Sequence, residues 1–378
     1  MLDARQDQKE VILFIDDLPS LDTLRSGFIK AIDLFWNGWA VRQKNVKLIA
    51  CGSATPWIND NIIDKRSDLH NCVTHVMHIH PLTLHETEKY FLRSHFVWNR
   101  ISICQAYMIF GGIPYYFSKL DNRHSLAQNI DRLYFSQDGE LRQENDLLLK
   151  SIFRKPEPYI AIIRLLAQNK KGLTRSELCD NLDKETALKI SVLLKNLENC
   201  ELIRRYNVRE KRIKTYSGIY KLTDFFMHFD HEFGNLHNTD EHYWFNNINT
   251  PKQNNWYESA FERLCMEHIS KIKKALGIHR IGFEYYTWRS KESKPAIQID
   301  LIFERSDQII NLCEIKYCRT KYSIDIEEEE KLSSRAYAFE HETKAKAAVH
   351  QTLITTYGLN TNIHSSEIAD VITMNDLF

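Results

Sequence analysis

Three side chains equipped to hydrolyse a phosphodiester lie close together near the end of this 378-residue chain: Asp300, Glu314 and Lys316. They sit in two apolar runs, Ile297 to Phe303 and Ile309 to Lys316, which are rich in β-branched residues and joined by a polar turn. Such runs predict a β-hairpin, and the two-residue interval of Glu-x-Lys sends both side chains out of one face. Pairing the strands would bring Asp300 to within a few ångströms of them. Two carboxylates beside one ammonium are enough to hold Mg²⁺ against a phosphodiester and to position a water for attack. On an exposed edge strand the same charges would only discourage aggregation. Cys313, Ile315 and Tyr317 instead surround Glu314 and Lys316 with apolar neighbours, so the second strand is expected to be central.

The pattern resembles the core of the PD-(D/E)xK nuclease-like fold. That resemblance implies Asp300 and Glu314 as metal ligands, helped by the Ile315 carbonyl, with Lys316 orienting or deprotonating the water and steadying the developing charge. A helix is expected from about Trp256 to Lys274, with Phe261, Leu264, Cys265, His268, Ile269 and Ile272 on its inner side. Glu262 lies between Phe261 and Cys265 and corresponds to the first-helix glutamate of such folds, which binds through water or joins a second metal. Glu258, one turn earlier, is the alternative. Tyr317 is expected to be structural. Helices around Ser333 to Tyr357 are expected to cover the sheet, and Lys344 and Lys346 serve either as phosphate contacts or as a charged outer face.

The elements ahead of this hairpin fall into two groups. Val11 to Ile15 reads as a buried strand ending in Asp16-Asp17, and Leu18, Leu21, Leu24, Phe28, Ile32 and Phe35 suit a helix with an apolar stripe. A second strand, Val46 to Ala50, runs into Cys51-Gly52-Ser53-Ala54, and a third, Val76 to Ile79, runs into Pro81-Leu82. Apolar strands separated by helices imply a parallel sheet covered on both faces. Acids at a strand's carboxyl end are where such sheets place ligand chemistry, although Asp16-Asp17 before Pro19 equally suits a helix N-cap. Between about 158 and 226 the pattern is three helices and a small hairpin, a winged helix. Tyr159, Ile162, Ile163, Leu165 and Leu166 line its first helix, and Thr174 with Glu177 makes a capping box for the second. Leu188, Val192, Leu193 and Leu197 mark the third, and Arg209, Lys211, Arg212 and Lys214 on the wing make a phosphate clamp. Glu185, Glu198 and Glu201 dilute Lys184, Lys189 and Lys195, so a packing module fits as well as a DNA reader.

In the same order, nearly the whole chain resembles the prokaryotic AAA-like ATPases with a nuclease-like C-terminal part. Pro81-Leu82-Thr83-Leu84-His85-Glu86, Gly111-Gly112-Ile113-Pro114-Tyr115-Tyr116, Tyr220-Lys221-Leu222-Thr223-Asp224-Phe225-Phe226 and Phe261-Glu262-Arg263-Leu264-Cys265 carry the match. The resemblance makes Asp16-Asp17 a Walker B motif, with Asp16 ordering the Mg²⁺ shell, Asp17 standing where a glutamate is usual, and Ser53 near the polar sensor position. No Gly-x-x-x-x-Gly-Lys-(Ser/Thr) occurs in the sequence, and Asn71-Cys72 replaces the usual Gly-Arg. ATP binding is therefore ancestral and expected to be weak or lost. The resemblance implies a member shortened at its N-terminus, dependent on a separate N-terminal fragment or on a second copy to cover an exposed strand edge.

The fold class expected is α/β: a partial P-loop parallel sheet, a winged-helix middle domain and a C-terminal α/β nuclease-like domain. The boundaries are 1–125 for the ATPase-like part, 126–157 for a helical lid or connector, 158–229 for the winged helix, 230–255 for a polar linker and 256–378 for the nuclease-like domain. Composition bounds the function without naming it. Fifty basic residues balance 50 acidic ones, so no global field announces nucleic acid. Eight cysteines without a Cys-x-x-Cys pair and 16 dispersed histidines argue against a zinc site. No apolar run approaches the roughly 20 residues of a bilayer span. With no basic, apolar leader at Met1 to Asp7, a cytoplasmic protein is expected.

Overall fold

The computed structural model describes residues 10–23, 25–53, 55–64, 69–209, 216–236, 240–290, 292 and 297–378. Its architecture is mixed α/β, with one two-stranded and one eight-stranded sheet among those residues. The contacts divide the chain into two units, one of Met1–His80, Asp146–Ile160 and Leu188–Leu202, the other of Pro81–Asn145, Ala161–Ala187 and Ile203–Phe378. The expectations placed on the first seven residues, Leu24, Ala54, Lys211, Arg212 and Lys214 lie outside the described residues.

In the first unit, β1 (Val11–Ile15) and β2 (Val46–Ala50) pair in parallel, Val11 opposite Val46 through Ile15 opposite Ala50, with α1 (Phe28–Gly38) between them in sequence. Ile15, Phe28, Ile29 and Leu48 pack around buried Leu18, Ile32 and Leu69. The sheet is not covered on both faces as its strand pattern implies: Ile12 and Phe14 of β1 and Ile49 of β2 are exposed. Alternate side chains of a strand leave by opposite faces, so one small core buries only half of them. The expected strand from Val76 to Ile79 does not form; Val76, Met77 and Ile79 are exposed and join no sheet. β-Branched composition favours extended backbone, but a strand also needs a neighbour to take its hydrogen bonds.

The second unit begins with α2 (Leu84–Arg93), opened by a Thr83/Glu86 capping box, and α3 (Arg100–Phe110). Gly112 lets the chain pass Leu82: an added Cβ would stand 2.0 Å from the Leu82 carbonyl oxygen. The middle of the chain then runs α4 (Glu157–Gln168), β3 (Leu173–Thr174), α5 (Arg175–Asp180), α6 (Lys184–Asn199), β4 (Ile203–Arg209) and β5 (Tyr216–Leu222). This is the order of elements expected, and the Thr174/Glu177 capping box forms at the start of α5. On α6, however, Leu188 and Val192 are 87% and 62% exposed, and Ile190, Leu193, Leu194 and Leu197 are the buried set.

After β5, α7 (Phe225–Phe233) contributes four phenylalanines to an aromatic core that includes Trp244, Trp256 and Phe261. The stretch 230–255 is therefore no plain linker: it holds the end of α7, a short helix Tyr243–Asn246 and the start of α8 (Pro251–Glu267). Here the aromatic side chains outweigh the polar composition that suggests a linker. The single helix expected from Trp256 to Lys274 is two, α8 and α9 (Ile269–Ala275), with a break at His268.

Five strands and one long helix complete the unit: β6 (Phe283–Arg289), β7 (Gln298–Arg305), β8 (Ile309–Lys316), α10 (Ile326–Thr343), β9 (Ala348–Thr355) and, at the edge, β10 (Ile368–Thr373). The sheet order is β10-β9-β8-β7-β6-β4-β5-β3. β6, β7 and β8 form an antiparallel meander, α10 crosses over, and β9 lies parallel to β8. β8 is thus an interior strand, as its apolar flanks imply. Residues 348–355, expected within covering helices, are strand β9, because Lys344 turns left-handed (φ 51°) and ends α10. The hairpin β4–β5 joins the sheet through Val208 opposite Thr287 and Arg209 opposite Trp288. Among the described residues no helix is long and apolar enough to cross a membrane.

Candidate active site

β7 and β8 fold as a hairpin because each alternates or runs apolar side chains into two cores, with Leu301, Ile302 and Phe303 of β7 fully buried. Leu301 pairs with Cys313, and one step further along the two strands stand Asp300 and Glu314. Gln298 and Asp300 share one face of β7, as Glu314 and Lys316 share one face of β8. All four side chains are partly buried.

Each charge has found a partner. Asp300 Oδ1 accepts hydrogen bonds from Lys221 Nζ at 2.9 Å and from Gln298 Nε2 at 2.7 Å. Burial pushes the Asp300 carboxyl up, but the Lys221 charge and these two donors outweigh it and hold the group below the usual carboxylate value. Glu314 takes Lys316 at 3.1 Å and a short hydrogen bond from Arg335 of α10. Lys316 also pairs with Glu328 at 3.2 Å. Burial acts to lower the Lys316 ammonium, yet Glu314 and Glu328 raise it well above its ordinary value. A lysine so held stays protonated near neutrality. It can orient a water or steady a negative charge, and the general-base role considered for it does not suit this environment.

Glu262 of α8 lines a cavity together with Asp300, Lys221, Lys170, Arg263 and Ser259, and Glu258 does not. The helix turn thus places Glu262 toward the hairpin carboxylate. Burial pushes its carboxyl up to about 7, with Asp300, Glu258 and Glu314 adding repulsion and Lys221 opposing it. Tyr317, at the end of the strand, stacks on Tyr257 and accepts a hydrogen bond from Gln105 at 2.8 Å, a packing role.

Oxygen donors of this kind suit Mg²⁺ in chemistry. Their present arrangement does not: among the described residues no three His, Cys, Asp or Glu side chains are grouped to hold a metal ion. Lys221 and Arg335 stand on the two hairpin carboxylates instead. Sequence reasoning missed both. Lys221 was visible only as part of the segment closing the winged helix, and Arg335 lay unmarked on the acidic helix that follows the hairpin. Only the sheet order, which seats β4 and β5 beside the meander, brings Lys221 to Asp300.

The N-terminal candidates are positioned by β1 and β2 alone. Asp16 and Asp17 follow β1 and are exposed; Asp16 Oδ1 accepts from Cys51 Sγ at 2.7 Å and from the Asp17 amide at 3.0 Å. Asp17 precedes the short helix Leu18–Leu21 in a left-handed conformation (φ 46°) and makes no side-chain cap, so the N-cap role is not taken up. Ser53 is exposed beyond the end of β2. On the β4–β5 hairpin, Arg204 is bound by Glu267 at 2.8 Å, and Arg209 pairs with Glu304 and donates to the Tyr286 hydroxyl. Arg209 is therefore not a free member of a phosphate clamp.

No family model matches the chain. It is similar to an uncharacterized protein of Methanocaldococcus jannaschii, 24% identical over 292 residues, covering 73% of this chain. The match spans 61% of that relative's length.

Proposed function

We propose that the C-terminal part of this chain is a nuclease-like domain whose centre comprises Asp300, Glu314, Lys316 and Glu262, carried behind a winged helix and an ATPase-like segment in which ATP binding is ancestral and impaired. One observation carries this reading. The β7–β8 hairpin presents Asp300 and Glu314 one step past its last paired residues, with Lys316 on the face of Glu314 and Glu262 approaching from α8 close enough to be perturbed by both carboxylates. Carboxylates on adjacent strands with a lysine two residues on are residues able to support metal-assisted phosphodiester hydrolysis. Asp300 and Glu314 would hold Mg²⁺ only with Lys221 and Arg335 moved off them, and the ion would then neutralise charge on a phosphodiester. Lys316, kept protonated by Glu314 and Glu328, directs its ammonium to a phosphate oxygen or an attacking water. The substrate class is nucleic acid, met through the winged helix and the same face of the sheet.

The test is cleavage of plasmid and single-stranded DNA by the purified full chain in Mg²⁺ or Mn²⁺. The expected outcome is metal-dependent cutting that falls by at least about 100-fold in both Asp300→Ala and Lys316→Ala, the scale of removing one electrostatic stabiliser. A well-folded chain that cuts nothing, or variants that cut as well as the parent, would overturn the assignment. A second reading, a protein-interaction module, is favoured by exposed Leu188 and Val192 on α6, where a DNA-reading helix would carry polar base contacts. It is supported if both DNA cleavage and DNA binding are absent.

A further inference from the structure

Arg263 of α8 carries a charge that no carboxylate meets. It lines the cavity shared by Lys170, Lys221, Ser259, Glu262 and Asp300, all of them in the second unit. Its Nη1 donates to Ser259 Oγ, one turn earlier, at 3.0 Å. The guanidinium carbon stands 5.0 Å from the centre of the Trp256 ring and 5.9 Å from that of Phe225. Nε and Nη2 are buried and, among the described residues, have no hydrogen-bond partner. Burial lowers the Arg263 pKa to about 10, although Glu262 and Glu232 act to raise it, so the group is charged at neutrality. The other cations of the cavity are engaged: Lys221 with Asp300 at 2.9 Å, and Lys170 with Glu232 at 3.3 Å. A buried guanidinium with two idle N–H groups is costly, and an anion supplying two acceptors offsets that cost.

We propose that this cavity is an oxyanion site, in which Arg263 grips two oxygens of a phosphate group through Nε and Nη2 while Lys170 and Ser259 reach the others. The idle pair is the side-on edge of the guanidinium, two parallel donors whose spacing matches two oxygens of one anion. The bond to Ser259 and the two aromatic rings fix the plane of that edge. A planar carboxylate would use the edge alone. Donors converging from α8 and from Lys170, in the turn after α4, suit a tetrahedral anion instead. The Lys170–Glu232 pair is partly exposed, 43% and 32%, and is weakly held, so Lys170 can swing to open the cavity and then turn to the ligand. With its mouth the cavity encloses about 500 Å³. The inference does not rest on cleavage at the hairpin, since Asp300 enters only as the carboxylate that occupies Lys221.

The experiment is isothermal titration of the purified full chain, free of divalent cations, with sodium phosphate, sodium acetate and sodium chloride at matched ionic strength. Phosphate should bind, acetate should bind about tenfold or more weakly, and chloride should give no saturable heat. Arg263→Lys keeps the charge but not the fork, and should weaken phosphate binding about tenfold or more. Lys170→Ala should weaken it as well, and Arg263→Met should abolish it. Thermal melting checks each variant's fold; should methionine prevent folding, Arg263→Lys and the exposed Lys170→Ala carry the test. A parent that binds no phosphate overturns the site, as do folded Arg263→Lys and Lys170→Ala variants that bind it as the parent does. Equal affinity for acetate overturns the assignment to phosphate. Competition by a single-stranded oligonucleotide separates the two sources of such a group: displacement of phosphate by the 5′-phosphorylated strand and not by its 5′-hydroxyl form supports a polynucleotide end, and displacement by neither supports the free anion.

Discussion

Asp131 accepts backbone hydrogen bonds from Trp244 at 2.7 Å and Phe245 at 3.1 Å, at the start of the short helix Tyr243–Asn246. Those donors favour its charged form, but burial is stronger and pushes the carboxyl up to about 6. The folded chain therefore holds this proton more tightly than the unfolded chain, whose aspartate titrates near 3.9. The sign follows: the contribution to stability is complete below about pH 4 and is lost as pH rises through about 6. Asp131→Asn carries no such charge, so its stability relative to the parent should improve by roughly 1–3 kcal/mol between pH 4 and pH 7. Urea unfolding of the two proteins across that range measures the difference, and a constant difference would show that the carboxyl is not perturbed. The site residues behave by the same rule of competing burial and pairing, and it is pairing that prevails at Asp300 and Lys316.

At the scale of elements, the break between α8 and α9 is built around one imidazole. His268 Nδ1 donates to the Leu264 carbonyl at 2.9 Å, so Nε2 is the acceptor for the Leu84 amide at 3.0 Å, in the first turn of α2. Burial lowers its pKa to about 4, which keeps it neutral and able to accept. His268→Leu leaves the Leu84 N–H unpaired inside the core and should cost roughly 1–3 kcal/mol, measured by thermal or urea unfolding. A loss below a few tenths would mean that water or another acceptor serves that amide. This device explains which elements the sequence disclosed. The β7–β8 hairpin, the Thr174 capping box and the three helices before β4 depend on local periodicity and turn chemistry, and they are legible. That Glu314 and Lys316 share a face was legible for the same reason, since a two-residue interval on one strand fixes it. The break at His268, β9 in place of a helix, the failure of Val76 to Ile79 to pair and the arrival of Lys221 at Asp300 depend on distant neighbours. In each case the local pattern permits two outcomes and tertiary hydrogen bonds choose between them.

For the whole molecule, the division of burial between the two units decides where the chain opens first. The eight-stranded sheet draws strands from residues 173 to 373 and shares a core that runs from Leu84 to Phe378. The β1–β2 pair has only a small cluster around Leu18, Ile32 and Leu69, and leaves Phe14 62% and Ile12 58% exposed. Parallel strands are usually buried on both faces, and two strands alone are marginal. Few buried contacts mean local opening at low free energy, which is what a protease samples. Brief digestion with chymotrypsin should therefore cut within residues 10–80, at sites such as Phe14, Trp39 or Met77, before any cut within β7 to β9. Mass spectrometry of the early fragments reads the order. Peptides holding β1 and β2 together that outlast the β7–β9 core would show that the first unit is the more stable one. Protection of residues 10–80 by a second copy of the chain would appear as slower cutting at higher protein concentration. The exposed edge would then be an interface between copies, and the β1–β2 pair would complete its sheet by association.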